Sequence, residues 1–78
     1  MILLDDTDIA ILRYLKERPG VAKSQEDIAA GAVADRKTVG ARLNKLREAG
    51  YVKRPDGKKT KDGITDAGIE RLNLVVSA

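Results

Sequence analysis

Cysteine, histidine, tryptophan and phenylalanine are all missing from this 78-residue chain. Without cysteine there is neither a disulfide framework nor a thiolate metal site, and without histidine the commonest general base and zinc ligand is gone. Enzymatic chemistry is therefore not expected, and neither is a metal or cofactor. The only aromatic residues are Tyr14 and Tyr51, too few for the stacking platforms on which single-stranded nucleic acid usually lies. No apolar run approaches the ~18 residues of a membrane span, and no charged segment leads into a hydrophobic stretch as in a signal peptide. A cytoplasmic location with no membrane partner is the expectation.

What the chain does have is positive charge, placed unevenly. The formal net charge is +3. Met1 to Ala34 carries four basic residues against six acidic ones, Asp35 to Ile64 carries ten against four, and Thr65 to Ala78 carries one against two. The excess lies almost wholly in the middle of the chain, as an electrostatic footprint for a polyanion requires.

Apolar spacing and caps mark the elements. Asp5, Asp6, Thr7 and Asp8 read as an acidic helix start, because carboxylates cap free N–H groups and complement the positive end of the helix dipole. Ile9, Leu12 and Leu15, widened by Ile11 and Tyr14, then recur at helical spacing until Arg18-Pro19-Gly20 stops the helix. Val21-Ala22-Lys23 is expected to be a short extended segment. Ser24-Gln25-Glu26-Asp27 resembles a capping box with Asp in place of Glu or Gln, opening a second helix that ends at Gly31.

Asp35 is the expected N-cap of a third helix. Its Val39, Leu43 and Leu46, joined by Ala49, line one face, and Gly50 provides a left-handed end. Tyr51 to Arg54 reads as a strand, Pro55-Asp56-Gly57 as a turn and Lys58 to Ile64 as the return strand. Thr65 caps a last helix from Asp66 to about Val75, with Ile69 and Leu72 facing inward. No internal repeat, low-complexity segment or linker interrupts this single domain, 1–78.

Helix, helix, basic helix, hairpin, helix is the order of the winged helix-turn-helix domain, a mainly α fold with a small β-hairpin. Local wording agrees. Asp35-Arg36-Lys37-Thr38-Val39, followed by Leu43-Asn44-Lys45-Leu46-Arg47-Glu48-Ala49-Gly50-Tyr51-Val52, resembles the recognition helix and first wing strand of bacterial and archaeal winged-helix regulators. Ile64-Thr65-Asp66-Ala67-Gly68 resembles the exit from the wing in MarR-like proteins, and Leu4-Asp5-Asp6-Thr7-Asp8 the start of Lrp-like ones. The resemblance implies a regulator that binds double-stranded DNA.

Site residues follow, each with a plainer alternative. Arg36, Lys37 and Thr38 occupy the first turn of the third helix, the part of a recognition helix that meets base edges; the alternative is a solvated face. Gly40 costs a helix interior about 1 kcal/mol relative to Ala. A close approach to the groove there, with Ala41 beside it, would explain it, as would a tolerated weak spot. Arg42, Asn44, Lys45 and Arg47 are phosphate contacts or simple solubility. Lys53, Arg54, Lys58, Lys59 and Lys61 are either DNA contacts of the wing or an edge-strand protection device, though edge protection explains one or two lysines better than five basic residues around one turn. Helix capping accounts for Asp5, Asp6 and Asp8 more simply than a cation site does.

The reading is a sequence-specific double-stranded DNA-binding protein, a small repressor or autoregulator. Its length leaves no space for a sensor, so control by concentration, operator arrangement or a partner is expected. Two rivals remain: an architectural or replication and recombination accessory protein on the same fold, and a winged helix used as a protein-interaction module. Apolar residues at both ends, Leu3, Leu4, Leu72, Leu74, Val75 and Val76, exceed what a small core needs. They either fold back on their own core or make a two-fold contact, and of the two a homodimer is the expectation.

Overall fold

Each helix begins at a side chain that replaces a missing backbone partner. In the computed structural model, which describes residues 3–55 and 61–76, α1 (Asp6–Lys16) starts with a reciprocal capping box. Asp8 N–H donates to Asp5 Oδ1 at 2.8 Å, and Asp5 N–H donates to Asp8 Oδ2 at 3.0 Å. Ser24 accepts from Asp27 N–H at the start of α2 (Gln25–Ala32), and Asp35 accepts from Thr38 N–H at the start of α3 (Arg36–Glu48). Thr65 does the same for α4 (Asp66–Val76) by accepting from Gly68 N–H at 3.0 Å.

The C-terminal ends of α2 and α3 share one hydrogen-bond pattern with different residues in the left-handed position. After α3, Gly50 at φ 83° lets Tyr51 N–H reach Leu46 O and its own N–H reach Arg47 O, the paired bonds of a Schellman cap. After α2, Ala34 N–H reaches Ala29 O and Val33 N–H reaches Ala30 O, but the left-handed residue is Val33, at φ 52°. The expected end at Gly31 is thus two residues early. Gly31 lies inside α2, where the ring of Tyr14 occupies the space a Cβ would need.

Three short strands form one antiparallel sheet in the order β1-β3-β2: β1 (Lys23–Ser24), β3 (Lys61–Ile64) and β2 (Val52–Lys53). Lys23 faces Asp62 and Ser24 faces Lys61, while Val52 faces Ile64 and Lys53 faces Gly63. The third strand is an addition to the hairpin read from the sequence: the extended segment before α2 closes the open edge of β3. The expected turn at Pro55-Asp56-Gly57 and the lysines Lys58 and Lys59 lie, from Asp56 onward, outside the described residues.

Ile11, Leu12 and Leu15 of α1, Ile28 of α2, Val39, Leu43 and Leu46 of α3, and Leu72 of α4 make the core, closed on the sheet side by Tyr51, Val52 and Ile64. Ile9 and Tyr14 pack at its margin. Leu72 is 1% exposed, so it belongs to the core of its own chain and is not available for a docking face. Thr65 fastens the wing exit to the end of α3: its hydroxyl donates to Gly50 O at 2.6 Å and its N–H donates to Tyr51 O at 3.0 Å. Gly68 lies so close to Tyr51 O that no Cβ fits, which gives the Thr65-Asp66-Ala67-Gly68 run a packing cause.

Candidate nucleic-acid interface

The outer surface of α3 follows from helical periodicity. With Val39, Leu43 and Leu46 turned into the core, Lys37, Ala41, Asn44 and Lys45 point the other way, and all four are exposed. Arg36 and Thr38 are exposed in the first turn. The Thr38 hydroxyl leans back toward Asp35, with an Oγ1 to Oδ2 distance of 3.4 Å. No acidic residue occupies the first turn, and the first carboxylate along α3 is Glu48.

Two arginines of this helix turn inward. Arg42 is half-buried and grips Asp8 with two bonds, Nε to Oδ1 at 2.7 Å and Nη2 to Oδ2 at 2.6 Å, with Asp5 Oδ2 3.7 Å away. The Asp8 side chain is fully buried, so its charge is neutralised by a guanidinium held in bidentate geometry. The hydrogen bond to Asp8 raises the Arg42 pKa above its ordinary value; burial opposes this, and the charges of Asp8 and Asp5 reinforce it. From the sequence, Arg42 is a candidate for phosphate. In the structure its guanidinium instead ties α3 to the start of α1.

Arg47 makes a second inward clamp, on Asp62 of β3. Nε lies 3.1 Å from Oδ1 and Nη2 lies 3.4 Å from Oδ2, while Nη1 donates to Asn44 Oδ1 at 2.8 Å. Arg54 approaches the same carboxylate, with Nε 3.6 Å from Oδ1. Asp62 is 2% exposed at its side chain, so one buried carboxylate on β3 links α3 to the residue that follows β2. Lys53 on β2, Arg54 just after it and Lys61 on β3 are exposed.

Gly40 has a different neighbour from the one expected. A Cβ there would lie 2.6 Å from Gln25 Nε2. Gln25 uses that space to donate a hydrogen bond to Arg36 O at 2.9 Å. The missing side chain admits the first turn of α2, and a groove-facing role is not needed to account for it.

Sequence reasoning missed Asp8, Asp62 and Gln25. Both aspartates carried a signal. Asp8 falls on the apolar stripe of α1, three, four and seven residues before Ile11, Leu12 and Leu15. Asp62 shares one face of β3 with the buried Ile64, two residues on. Gln25 carried none, because its partner is a backbone carbonyl eleven residues away.

The profile of the MarR family matches residues 4–61. The chain belongs to the MarR family. A search of curated proteins found no match. The MarR match joins the winged-helix architecture to a family of DNA-binding transcriptional regulators, one that is generally non-enzymatic. It spans α1, the helix-turn-helix and the wing as far as the first residue of β3. Among the described residues no helix is long and apolar enough to cross a membrane.

Proposed function

We propose that this MarR-family chain is a sequence-specific double-stranded DNA-binding protein that acts as a small repressor or autoregulator, working as a homodimer in the cytoplasm of its cell. α3 enters the major groove with Lys37, Thr38, Ala41, Asn44 and Lys45 toward the duplex. Lys53, Arg54, Lys58, Lys59 and Lys61 of the wing lie along flanking phosphates. Base edges are reached from the first turns of α3, and the wing adds affinity that does not depend on sequence.

One observation carries this reading. Asp8 and Asp62 are buried behind the basic helix and engage Arg42 and Arg47, Asp35 and Glu48 stand at its two ends, and the outward face from Arg36 to Lys45 between them has no acidic side chain. Charge is thus sorted by direction, inward pairs for stability and outward cations for a polyanion. Selection of bound duplexes from a random pool, followed by footprinting on the recovered site, tests it. Enrichment of one motif with protection of a short tract is the expected result. Uniform coating without enrichment would make the protein architectural, and no retention on duplex DNA at low salt would leave a protein partner.

A further inference from the structure

Between the N-terminal turns of α2 and α3 and the residue that follows β2 in the wing lies an open cleft of about 310 Å³, lined by Ser24, Gln25, Glu26, Arg36 and Arg54. We propose that it is a preformed seat for a single DNA backbone phosphate, with Arg36 and Arg54 as its two ligands. The proposal rests on the DNA-binding reading and deepens it. Arg36 passes from base reading to backbone clamping, and Ser24 and Gln25 join the interface.

The cleft is held from both sides before any ligand arrives. On the wing side, buried Asp62 holds Arg54, with Nε to Oδ1 at 3.6 Å. Because Asp62 also serves Arg47, one negative charge faces two guanidinium groups and leaves a positive excess. On the helix side, Gln25 Nε2 donates to Arg36 O in the space that Gly40 leaves open. The Arg36 guanidinium has no hydrogen bond or ion pair among the described residues. Ser24 Oγ accepts from Asp27 N–H, which leaves its hydroxyl hydrogen free to donate. The pairing of Ser24 with Lys61 fixes α2 to the wing.

Two forked cations and a hydroxyl around one concavity match the tetrahedral oxygens of a phosphate better than the edge of a base. The positive end of α2 adds to the field. Glu26, exposed on the rim, is the one acidic lining residue and opposes an anion. Its removal therefore acts in the opposite direction from removal of the arginines.

The test uses the full chain and a duplex it retains, made in versions that carry one uncharged methylphosphonate at each successive position. Wild type is expected to lose about tenfold in affinity at one position per half-site, the scale of one charge-assisted hydrogen bond. Arg36→Ala and Arg54→Ala should each weaken binding to the all-phosphate duplex about tenfold, yet cost nothing further on the duplex neutralised at that position. Glu26→Gln should tighten binding a few-fold on the all-phosphate duplex and not on the neutralised one. Losses from the arginine variants that persist on every neutralised duplex would overturn the cleft while leaving DNA binding intact. No retention of any duplex by wild type would overturn the DNA reading and the cleft with it. Inorganic phosphate is titrated against the free protein at constant ionic strength. Saturable shifts of Arg36 and Arg54, without any position-specific methylphosphonate effect, would assign the cleft to a soluble phosphate ligand instead.

Discussion

Val33 is the residue with the least comfortable backbone: a β-branched side chain at φ 52°, 92% exposed, closing α2 with the same hydrogen bonds that Gly50 makes after α3. The left-handed region costs a residue with a Cβ roughly 1–2 kcal/mol, and glycine's extra freedom in the unfolded chain returns about 0.5–1 of this. Val33→Gly is therefore expected to stabilise the free protein by up to about 1 kcal/mol, a rise of a few degrees in Tm for a domain of this size. A thermal melt showing a clear decrease would mean that the valine packs against something that favours the turn. Arg42 gives the opposite case. Arg42→Ala leaves the Asp8 carboxylate buried with only the Asp5 N–H to hydrogen-bond it among the described residues, and a broken buried pair costs about 3–5 kcal/mol. The partial exposure of Arg42 places the expectation near the lower figure. Arg42→Lys should recover only part of it, because one ammonium cannot reproduce two parallel bonds. Denaturant unfolding of both variants measures this, and equal stability of Arg42→Ala and wild type would reduce the clamp to a surface contact.

At the level of elements, the wing is where sequence and geometry divide the work. Lys53, Arg54 and Lys61 are exposed on or beside its strands, and the expectation of two strands around a basic turn comes from the Pro55-Asp56-Gly57 signal. Neutralising Lys58, Lys59 and Lys61 together should weaken binding on all duplexes alike. It should also flatten the salt dependence, by roughly 0.9 in slope for each phosphate that is no longer neutralised. An unchanged slope in a salt titration would make these lysines edge protection only. The four helices are legible in the sequence because each begins at a cap and repeats its apolar residues at helical spacing, signals that are local in the chain. Less legible are the features fixed by partners distant in sequence. The strand before α2 depends on Asp62 and Lys61, Gly40 is explained by Gln25, and Arg42 is turned inward by an aspartate 34 residues earlier. An exposed cation and a cation paired beneath the surface look alike in a one-dimensional pattern. Arg42 and Lys45 therefore read alike in the sequence even though their environments differ.

For the whole molecule, the remaining question is where a second copy would meet the first. The apolar ends do not form a uniform face. Leu72 is in the core and Leu4 packs against it, whereas Leu3 is 89% exposed and Leu74 61% exposed. Leu74 follows Asn73, whose Oδ1 accepts from Lys16 Nζ at 2.7 Å, so it lies near the end of α1 farthest from Leu3. Of the two, Leu74 projects from a helix anchored to the core through Leu72, so it presents a fixed apolar side chain, as a two-fold contact requires. Leu74→Asp is expected to shift sedimentation from dimer to monomer while leaving the helical circular-dichroism spectrum of the folded chain unchanged, because the position is exposed in the single chain. Any fall in Tm is then the stabilisation that association supplied. The paired form should recognise an inverted repeat with half-sites about one helical turn, ~34 Å, apart or a multiple of it. The variant should then lose affinity for the full site while matching wild type on a half-site. Leu3→Asp serves as the comparison, since a contact centred on α4 leaves it unaffected. A wild-type protein that sediments as a monomer at high concentration and selects a site without symmetry would remove the dimer. Each copy would then bind alone, with the affinity that one recognition helix and one wing supply.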